Sequence, residues 1–352
     1  MTTLHVVVPD GVDDPTRPSG GNTYDLRVCH GLAAMGWSVA LHAVAGAWPA
    51  ADSAAQRELK ATLASVEDGG LVLIDGLISS SVPDVLSWES TRLRLVILMH
   101  MPLGASSTDP AVRQRERRGL QTCAGVIATS DWTRAWLTSH YALGVDTVHV
   151  ATPGVDPASS TTSDGREGHL LCVAAVTPTK GQDVLLEALV TLADLPWTCT
   201  LVGSLTRDVA FADAVRARAG HPGIADRVTL TGPLVGGALD DAYRGAGVVV
   251  LPSRAETYGM VITEALARGI PVVATDVGGT SEALGTSAHD GPPGLLVPAD
   301  DVPALAAALR RWLADGDLRA RLQRAATARR QDLLDWSHTS EVIARVLTEV
   351  AA

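Results

Sequence analysis

Residues 251–284 read LPSRAETYGMVITEALARGIPVVATDVGGTSEAL, and no other segment of the chain is as informative. An apolar run ends at Leu251, a turn follows, and a helical pattern begins near Tyr258. The apolar run PVVAT (271–275) comes next. Strand, turn, helix and strand in this order predict a β-α-β unit of a parallel sheet. The free N–H groups at the start of such a helix lie at the carboxyl edge of the sheet and suit a diphosphate.

The same alternation extends in both directions along the chain. Short runs rich in Val, Ile and Leu are LHVVVP, SVALHAV, LVLID, RLVILMH, GVIATS and VHVATP, and later LLCVAAV, TCTLVG, RVTLTG, GVVVLPS and PVVAT. Helical patterns between and after them cover 22–35, 109–122, 181–192, 207–219, 237–244, 258–268 and most of 301–350. Two successive sets of β-α units predict an α/β protein with two doubly wound, Rossmann-like parallel-sheet domains.

The polar segment PASSTTSDGREGH (157–169) interrupts this alternation and has the composition of a linker. We therefore predict a first domain over 1–156, a linker over 157–168 and a second domain over 169–325. A C-terminal helical segment, 326–352, is expected to pack back on the first domain. Sheets of this kind bind ligands at the carboxyl ends of their strands, so we expect the site in a cleft where the two domains face each other.

Composition excludes several classes of protein. With 46% hydrophobic and 19% charged residues, the 352-residue chain can bury two globular cores. A net charge of −11 argues against a nucleic-acid partner, which requires a basic face. The four cysteines are scattered without a C-x-x-C pair, which is typical of buried thiols in a reducing compartment. The sequence has neither a signal-peptide pattern nor a long apolar run, so we expect a cytoplasmic protein.

The loops also argue against other nucleotide and metal enzymes. The first strand is followed by DGVDDPTRPSGGN rather than by G-x-G-x-x-G, and no acidic residue follows the second strand at Val44. The sequence therefore lacks both motifs by which a nicotinamide-dependent oxidoreductase binds its dinucleotide. The sequence contains neither a phosphate-binding G-x-x-x-x-G-K-[ST] loop nor an H-E-x-x-H zinc motif.

Two glutamates, Glu256 and Glu264, flank seven residues within the 251–284 segment. P-S precedes them, Y-G lies between them, and E-A-L-A-x-G-x-P-V-V-A-T and G-G-x-x-E follow. This pattern resembles the donor-binding signature of the family-four retaining glycosyltransferases. The resemblance is firm over 170–300 and looser over 1–150. It implies a GT-B fold and a nucleoside-diphosphate sugar as donor substrate, with no metal or other cofactor.

The resemblance also assigns roles around the helix start. Glu264, about two turns into the helix, is expected to accept hydrogen bonds from the ribose diol of the nucleotide. Glu256 is expected to reach hydroxyls of the transferred sugar. The residues assigned to the donor phosphates at the helix start are Tyr258, Gly259, Met260 and Val261.

Three further segments match the family in order. TPTKGQDVLLEAL (177–189) brings Lys180 to a donor phosphate, GGN (20–22) brings Gly20 and Gly21 beside the donor, and RLVILMH brings His100 to the donor sugar. The resemblance thus implies His100, Glu256 and Lys180 as catalytic residues. Taken singly, the lysine also fits a solvated helix start, the glycine pair a surface turn, and the histidine a structural position.

One position departs from the family pattern. The family reads V-G-R-L before its Lys-Gly pair, whereas this sequence reads V-A-A-V, so Ala175 replaces the arginine that usually contacts the diphosphate. We predict Arg254 as the substitute, because it lies two residues before Glu256. A solvated loop arginine is the alternative.

Two short patterns are interpreted as helix caps. Asp315 and Asp317 have the D-x-D spacing that another glycosyltransferase fold uses for a divalent ion, but they lie between helical segments, away from any strand end. We interpret them as a helix break with a capping aspartate, and we expect no metal site. Ser130 in ATSDWTRAW fits a helix N-cap.

The acceptor is the least defined partner. We expect a small soluble acceptor, with a membrane lipid as the alternative because RQRERR (113–118) forms a basic helix patch. A solvated helix face explains that patch better in an acidic chain. Two other classes stay open: a GT-B sugar-nucleotide epimerase, and a nucleotide-binding module without turnover. For a transferase, the resemblance implies retention at the anomeric carbon through same-face attack, since no carboxylate nucleophile is identified.

Overall fold

The structure, a computed structural model, describes residues 3–161 and 166–352. The chain divides into two compact units: Met1–Asp13, Gly20–Gly154 and Leu334–Ala352 form the first, and Asp14–Ser19 and Val155–Leu333 form the second. The C-terminal segment joins the first unit from residue 334, not from 326. Of the predicted linker, residues 162–165 lie outside the described residues.

The first unit is built on a parallel sheet with strand order β2-β1-β3-β4-β5-β6. Its strands are β1 (Thr3–Pro9), β2 (Ser38–Val44), β3 (Leu71–Asp75), β4 (Arg94–Met99), β5 (Gly125–Ala128) and β6 (Val148–Val150). Every residue of β3 and β5 is buried, because helices cover both faces of the sheet.

The helices of the first unit connect these strands, and one returns from the C-terminus. They are α1 (Gly20–Ala34), α2 (Ser53–Ala64), α3 (Gly76–Ser79), α4 (Pro83–Glu89), α5 (Leu103–Ser106), α6 (Pro110–Leu120), α7 (Asp131–Tyr141) and α15 (Trp336–Ala351). Ile343 and Leu347 of α15 share a core with Val28 of α1. A side chain at Gly31 would overlap Ser340, so the glycine allows the close approach of the two helices.

The second unit repeats this architecture with strand order β12-β11-β10-β7-β8-β9. Its strands are β7 (His169–Val173), β8 (Thr198–Val202), β9 (Val228–Gly232), β10 (Val248–Leu251), β11 (Val272–Thr275) and β12 (Gly294–Val297). Its helices are α8 (Gln182–Val190), α9 (Val209–Ala219), α10 (Gly236–Gly245), α11 (Met260–Ala267), α12 (Thr280–Leu284), α13 (Val302–Ala314) and α14 (Gly316–Arg329). Short 3-10 turns cover Pro178–Lys180, Ala225–Arg227 and Arg330–Asp332.

Each sheet reverses its strand order at one point, and that point locates the expected ligand edge. In the first unit the reversal lies between β1 and β3, and in the second between β7 and β10. Loops that follow adjacent strands on either side of such a point diverge and leave a crevice at the carboxyl edge. The segments that carry Lys180 and Glu256 follow β7 and β10, so they flank the crevice of the second unit.

The predicted strands and helices are confirmed, mostly to within two residues. The helix expected near Tyr258 begins at Met260, because Gly259 takes a positive φ of 96° and caps it. Strand β12 and helices α2 to α5 and α12 were not predicted. Both capping predictions are confirmed: Ser130 accepts from the N–H of Thr133, and Asp315 accepts from that of Leu318.

The burial of the cysteines and the character of the helices can be compared with what the composition predicted. Cys29, Cys172 and Cys199 are buried free thiols, while Cys123 is half-buried. Across residues 3–161 and 166–352, none of the helices combines the length and the apolar character needed to span a bilayer.

Candidate functional site

Lys180 and Glu256 are brought together in the second unit, although 76 residues separate them in sequence. Nζ of Lys180 lies 2.6 Å from Oε1 of Glu256, and the hydroxyl of Ser253 donates to the same oxygen at 2.7 Å. The Glu256 side chain is 11% exposed and that of Lys180 is 29% exposed. A carboxylate and an ammonium thus lie at the strand-end crevice, where hydroxyls and phosphates are the matching ligand groups.

Glycines allow the loops around Glu256 to lie this close. Gly181, with a φ of 66°, packs so tightly on the carbonyl of Pro252 that a Cβ would overlap it. Gly278 has a φ of 57°, and a Cβ there would overlap the carbonyl oxygen of Glu256. The next residue, Gly279, donates its N–H to that oxygen at 3.3 Å. The G-G pair of the 251–284 segment therefore fixes the backbone of Glu256.

The start of α11 offers unpaired backbone donors at the same edge. Met260 and Val261 form its first turn, whose N–H groups have no partner within the helix. Tyr258 packs against the core, and burial raises the pKa of its hydroxyl to about 12. The Tyr258 side chain thus packs inward, and the phosphate contact expected from the backbone N–H groups near it stays a prediction.

Glu264 lies one turn into α11 and is held by side chains that the sequence did not indicate. The hydroxyl of Tyr243, a fully buried residue of α10, donates to Oε2 of Glu264 at 2.6 Å. Arg268 lies over the Tyr243 ring at 4.4 Å and donates to the backbone carbonyl of Glu264. Burial raises the pKa of the Glu264 carboxyl, although the Tyr243 hydrogen bond and Arg268 act in the opposite direction.

Arg254 does not face Glu256. Its guanidinium pairs with Asp183 at 2.8 and 3.0 Å and with Asp300 at 2.6 Å, and it also donates to the carbonyl of Pro178. These carboxylates, with Asp183 first, raise the pKa of Arg254 above its usual value. The predicted diphosphate contact stays a prediction, and the two ion pairs weigh against it. Ala175, two residues beyond β7, accepts a hydrogen bond from Gln182 through its carbonyl.

The first unit brings His100 together with the glycine pair. His100 directly follows β4, and Gly20 and Gly21 begin α1. A Cβ on Gly21 would meet the His100 ring at 3.4 Å, so the glycine lets the helix approach the imidazole. The Tyr24 ring contacts the imidazole edge-on, with centroids 5.2 Å apart.

Two aspartates complete this arrangement, and both were missed from the sequence. Nε2 of His100 lies 2.8 Å from Oδ1 of Asp25 and 3.5 Å from Oδ2 of Asp75. Burial acts to lower the pKa of His100, but the charge and hydrogen bond of Asp25 and the charge of Asp75 outweigh it and raise the pKa to about 9. Asp75 ends the apolar run LVLID, and a carboxylate at a predicted strand end was the signal that could have revealed it.

Asp25, Asp75 and His100 are also the one group among the described residues whose side-chain types and spacing would suit a metal ion. The 2.8 Å separation of Nε2 and Oδ1 is a hydrogen-bond distance, so in this arrangement a proton occupies the space between them. The D-x-D residues are elsewhere: Asp315 caps α14 and Asp317 lies in its first turn.

The basic patch 113–118 is only partly a solvated face. Glu116 is fully buried and accepts from the backbone N–H groups of Leu103 and Gly104, which follow His100 closely. The hydroxyls of Ser80 and Tyr141 also donate to it. The prediction of a solvated face was thus wrong for Glu116, which ties α6 to the loop after His100.

A groove of about 400 Å³ lies on the first unit between α2, α4 and α6. Its charged lining residues are Lys60, Asp84, Arg115 and Arg118. Arg118 pairs with Asp84 at 2.6 Å, which leaves an excess of positive charge in the groove. A ligand with a phosphate group would find complementary charge there.

Comparison with solved structures supports the architecture. A sucrose-phosphate synthase from Thermosynechococcus elongatus superposes with a TM-score of 0.80 at 22% identity, covering 99% of both chains. Anabaena HepE in complex with UDP-glucose superposes with a TM-score of 0.78 at 18% identity, over 99% of this chain and all of that one. These likenesses confirm the predicted GT-B fold class.

Comparison of sequences gives the family. The model of "Glycosyl transferases group 1" matches residues 158–329. The D-inositol 3-phosphate glycosyltransferase of Pseudarthrobacter chlorophenolicus is 33% identical over 255 residues, 67% of this chain and 59% of that protein. The protein of the same name from Arthrobacter sp. (strain FB24) is 33% identical over 290 residues, 74% of this chain and 67% of its own length.

The chain therefore spans about three fifths of the length of the first of these relatives. The resemblance found in the 251–284 segment agrees with the family match, because that segment lies inside it. The matched segment and the relative covered over 67% of its length together show that this chain belongs to the glycosyl transferases group 1 family.

Proposed function

We propose that this protein is a retaining glycosyltransferase that moves a sugar from a nucleoside-diphosphate donor to a small polar acceptor without a metal ion. The observation that carries the proposal is the convergence of Lys180, Ser253 and Glu256 beside the free N–H groups of α11. An ammonium and a helix start match a diphosphate, and a carboxylate matches sugar hydroxyls.

In the proposed reaction the bond between the anomeric carbon and the donor phosphate breaks, and a bond to an acceptor oxygen forms on the same face. The acceptor proton passes to the departing phosphate, so the products are a glycoside and a nucleoside diphosphate. Lys180 and the start of α11 stabilise the negative charge that develops on the leaving group, which is commonly the largest contribution to such a step. Glu264 binds the ribose diol, and Tyr243 orients its carboxylate.

For the donor, we propose a UDP-sugar first, because UDP-glucose is named with the Anabaena HepE structure. For the acceptor, we propose a phosphorylated polyol, with D-inositol 3-phosphate as the first compound to test, after the names of the relatives. The cationic groove that contains Lys60 and Arg115 supports an acceptor of that charge. The free cysteine thiols favour the cytoplasm as the place of reaction.

The test is a matrix of UDP-, GDP- and ADP-sugars against D-inositol 3-phosphate and unphosphorylated inositol, in which nucleoside diphosphate release is measured. We expect release from one donor class that depends on the phosphorylated acceptor, and a product whose anomeric configuration by NMR equals that of the donor. Arg115→Gln should raise the KM for the phosphorylated acceptor, whereas Arg216→Gln, an exposed arginine of the second unit, should not. An inverted product would refute retention, and equal use of both inositols would refute the phosphorylated acceptor.

A further inference from the structure

Asp25, Asp75 and His100, called the His100 cluster below, gather three ionisable groups where little water reaches them. The Asp25 side chain is 2% exposed, that of Asp75 is 4% exposed and that of His100 is 16% exposed. Two ionised carboxylates beside a neutral imidazole would leave two uncompensated negative charges in this space, which is strongly unfavourable. The cluster must therefore hold protons, and the geometry indicates where they are.

The first proton belongs to His100. Nε2 faces Oδ1 of Asp25 at 2.8 Å and Oδ2 of Asp75 at 3.5 Å. A carboxylate oxygen only accepts hydrogen bonds, so Nε2 must carry the hydrogen. With Nε2 fixed as a donor, a nearby carboxylate charge also favours a hydrogen on Nδ1.

The second proton belongs to Asp75. Oδ2 of Asp25 is buried, and no hydrogen-bond donor among the described residues reaches it. Carboxylate oxygens of Asp25 and Asp75 lie within 4.8 Å of each other. Oδ1 of Asp75 already accepts from the N–H of Leu77, so a hydrogen on its other oxygen would supply the donor that Asp25 lacks.

We propose that Asp25 and Asp75 are positioning residues that hold His100 as an imidazolium, with Asp25 ionised and Asp75 protonated and donating to Asp25. The cluster is then electrically neutral, and its ring orientation is fixed through Nε2. Nδ1–H becomes a second donor, aimed by the pair and available to an oxygen of a bound substrate. That a substrate accepts this Nδ1–H rests on the proposed function, whereas the protonation states of Asp25, Asp75 and His100 do not.

Tyr24 and Cys29 keep their charge state near neutral pH, whereas Asp75 loses the proton assigned to it as the pH rises through about 7. From α1, burial raises the pKa of the Tyr24 hydroxyl well above its usual value and that of the Cys29 thiol to about 12. From the end of β3, burial and the charge of Asp25 raise the pKa of Asp75 to about 7. Only the members of the cluster therefore change charge in this range.

The test is an NMR titration of the full-length protein labelled with ¹⁵N-histidine, with the His100 signals assigned through His100→Gln. In the wild type we expect His100 to remain protonated until close to pH 9. Asp25→Asn should lower its pKa to about 6.5 or below, the value of a free histidine. Asp75→Asn should lower the pKa of His100 less than Asp25→Asn does, because Asp75 lies farther from Nε2, at 3.5 Å rather than 2.8 Å. Asp68→Asn, an exposed position in the same unit, serves as control.

Two results would overturn the inference. One is an ordinary titration near pH 6.5 for His100 in the wild type, a measurement that requires no variant to fold. The other is an equal fall in Asp25→Asn and Asp75→Asn, which would make Asp75 an ionised partner. With the matched substrates, Asp25→Asn should also lower kcat about tenfold or more and move its alkaline limb to lower pH. A protein with the expected titration but no transfer activity would refute the proposed function and leave the proton count standing.

Discussion

At the scale of single residues, the charged side chains that we propose for substrate contact are held by partners from other elements. Lys180, Glu256 and His100 follow strand ends, as predicted, whereas Glu264 lies one turn into α11 rather than two. Their partners Tyr243, Asp25 and Asp75 come from other elements, and only tertiary packing brings them close. The spacing of residues along the sequence does not encode such contacts, because the two partners lie on different elements that meet only in the folded chain.

The predicted diphosphate contact of Arg254 stays a prediction, and its ion pairs weigh against it. Its position two residues before Glu256 suggested a shared ligand, but its side chain runs to Asp183 and Asp300. An arginine fork satisfies two carboxylates better than open solvent does, and both carboxylates lie within its reach. Proximity in sequence fixed the backbone of Arg254 and left the direction of its side chain undetermined.

Glu264 allows a direct test of nucleotide binding. Glu264→Gln keeps the size of the side chain but removes the charge that a ribose diol would meet, so UDP should bind about tenfold to a hundredfold more weakly, equivalent to ~1.5–3 kcal/mol. Titration calorimetry measures this affinity. Glu187→Gln, at an exposed ion pair of the same unit, is the matched control and should bind like the wild type. An unchanged affinity of Glu264→Gln for UDP would contradict the proposed contact between Glu264 and the ribose diol.

At the scale of elements, the predicted order of strands and helices was confirmed because buried parallel strands are continuous apolar runs. The short helices α3 to α5 were missed, since four to seven residues are too few to show a helical period. The start of α11 differed by two residues because the positive φ of Gly259 delays the helix.

Gly278 tests whether the glycine turn holds Glu256. Gly278→Ala combines a positive φ with a Cβ that overlaps the Glu256 carbonyl, so it should lower the stability of the second unit by about 2 kcal/mol or more and abolish UDP binding. Gly237→Ala in α10, where a Cβ meets open space, should be neutral or stabilising. Thermal melts with and without UDP compare the two variants. Wild-type melting and binding in Gly278→Ala would contradict this account of the turn.

Asp315 and Asp317 test the interpretation of the D-x-D pattern. Asp315→Ala removes the cap of α14 and should cost about 1 kcal/mol of stability, whereas Asp317→Ala should cost less. Once a donor and acceptor are identified, both variants should turn over like the wild type in the presence of excess chelator. Activity that disappears with chelator and returns with manganese would show that the reaction uses a metal.

At the scale of the whole molecule, the raised pKa values of the His100 cluster connect stability to pH. The folded chain holds the His100 proton to about pH 9, whereas the unfolded chain releases it near 6.5. The folded state then binds more protons between these values, so stability is fully present below pH 6.5 and declines as the pH rises toward 9.

The corresponding experiment compares wild type and His100→Gln in thermal melts at pH 7 and pH 9. The melting temperature of the wild type should fall further between pH 7 and pH 9 than that of the variant. Buried thiols such as Cys29 also destabilise the fold at high pH, but they act equally in both proteins. Asp75 does not, because its pKa depends on His100, so the same comparison is made in the Asp75→Asn background. Identical losses in the two proteins would argue against a raised pKa for His100.

The division into two units and the family were predictable from repeated β-α units and one signature, whereas the acceptor was not. The groove that we propose for the acceptor is lined by side chains such as Lys60 and Arg115, which come from separate helices and share no motif. Charge alone made the 113–118 segment look like a solvated surface, although Glu116 within it is buried. The sequence therefore predicted the fold and the family, while the donor and the acceptor are proposals.

The measurement that bears most directly on the central claim is acceptor-dependent turnover of a nucleotide sugar by the purified full-length protein. Incubation with a UDP-, GDP- or ADP-sugar and D-inositol 3-phosphate should release the nucleoside diphosphate and form one glycoside with the anomeric configuration of the donor. Release should fall at least a hundredfold in Lys180→Ala, which removes a cation from the leaving diphosphate. Isomerisation of the donor without an acceptor, or binding without turnover across the donor and acceptor panel, would contradict the account.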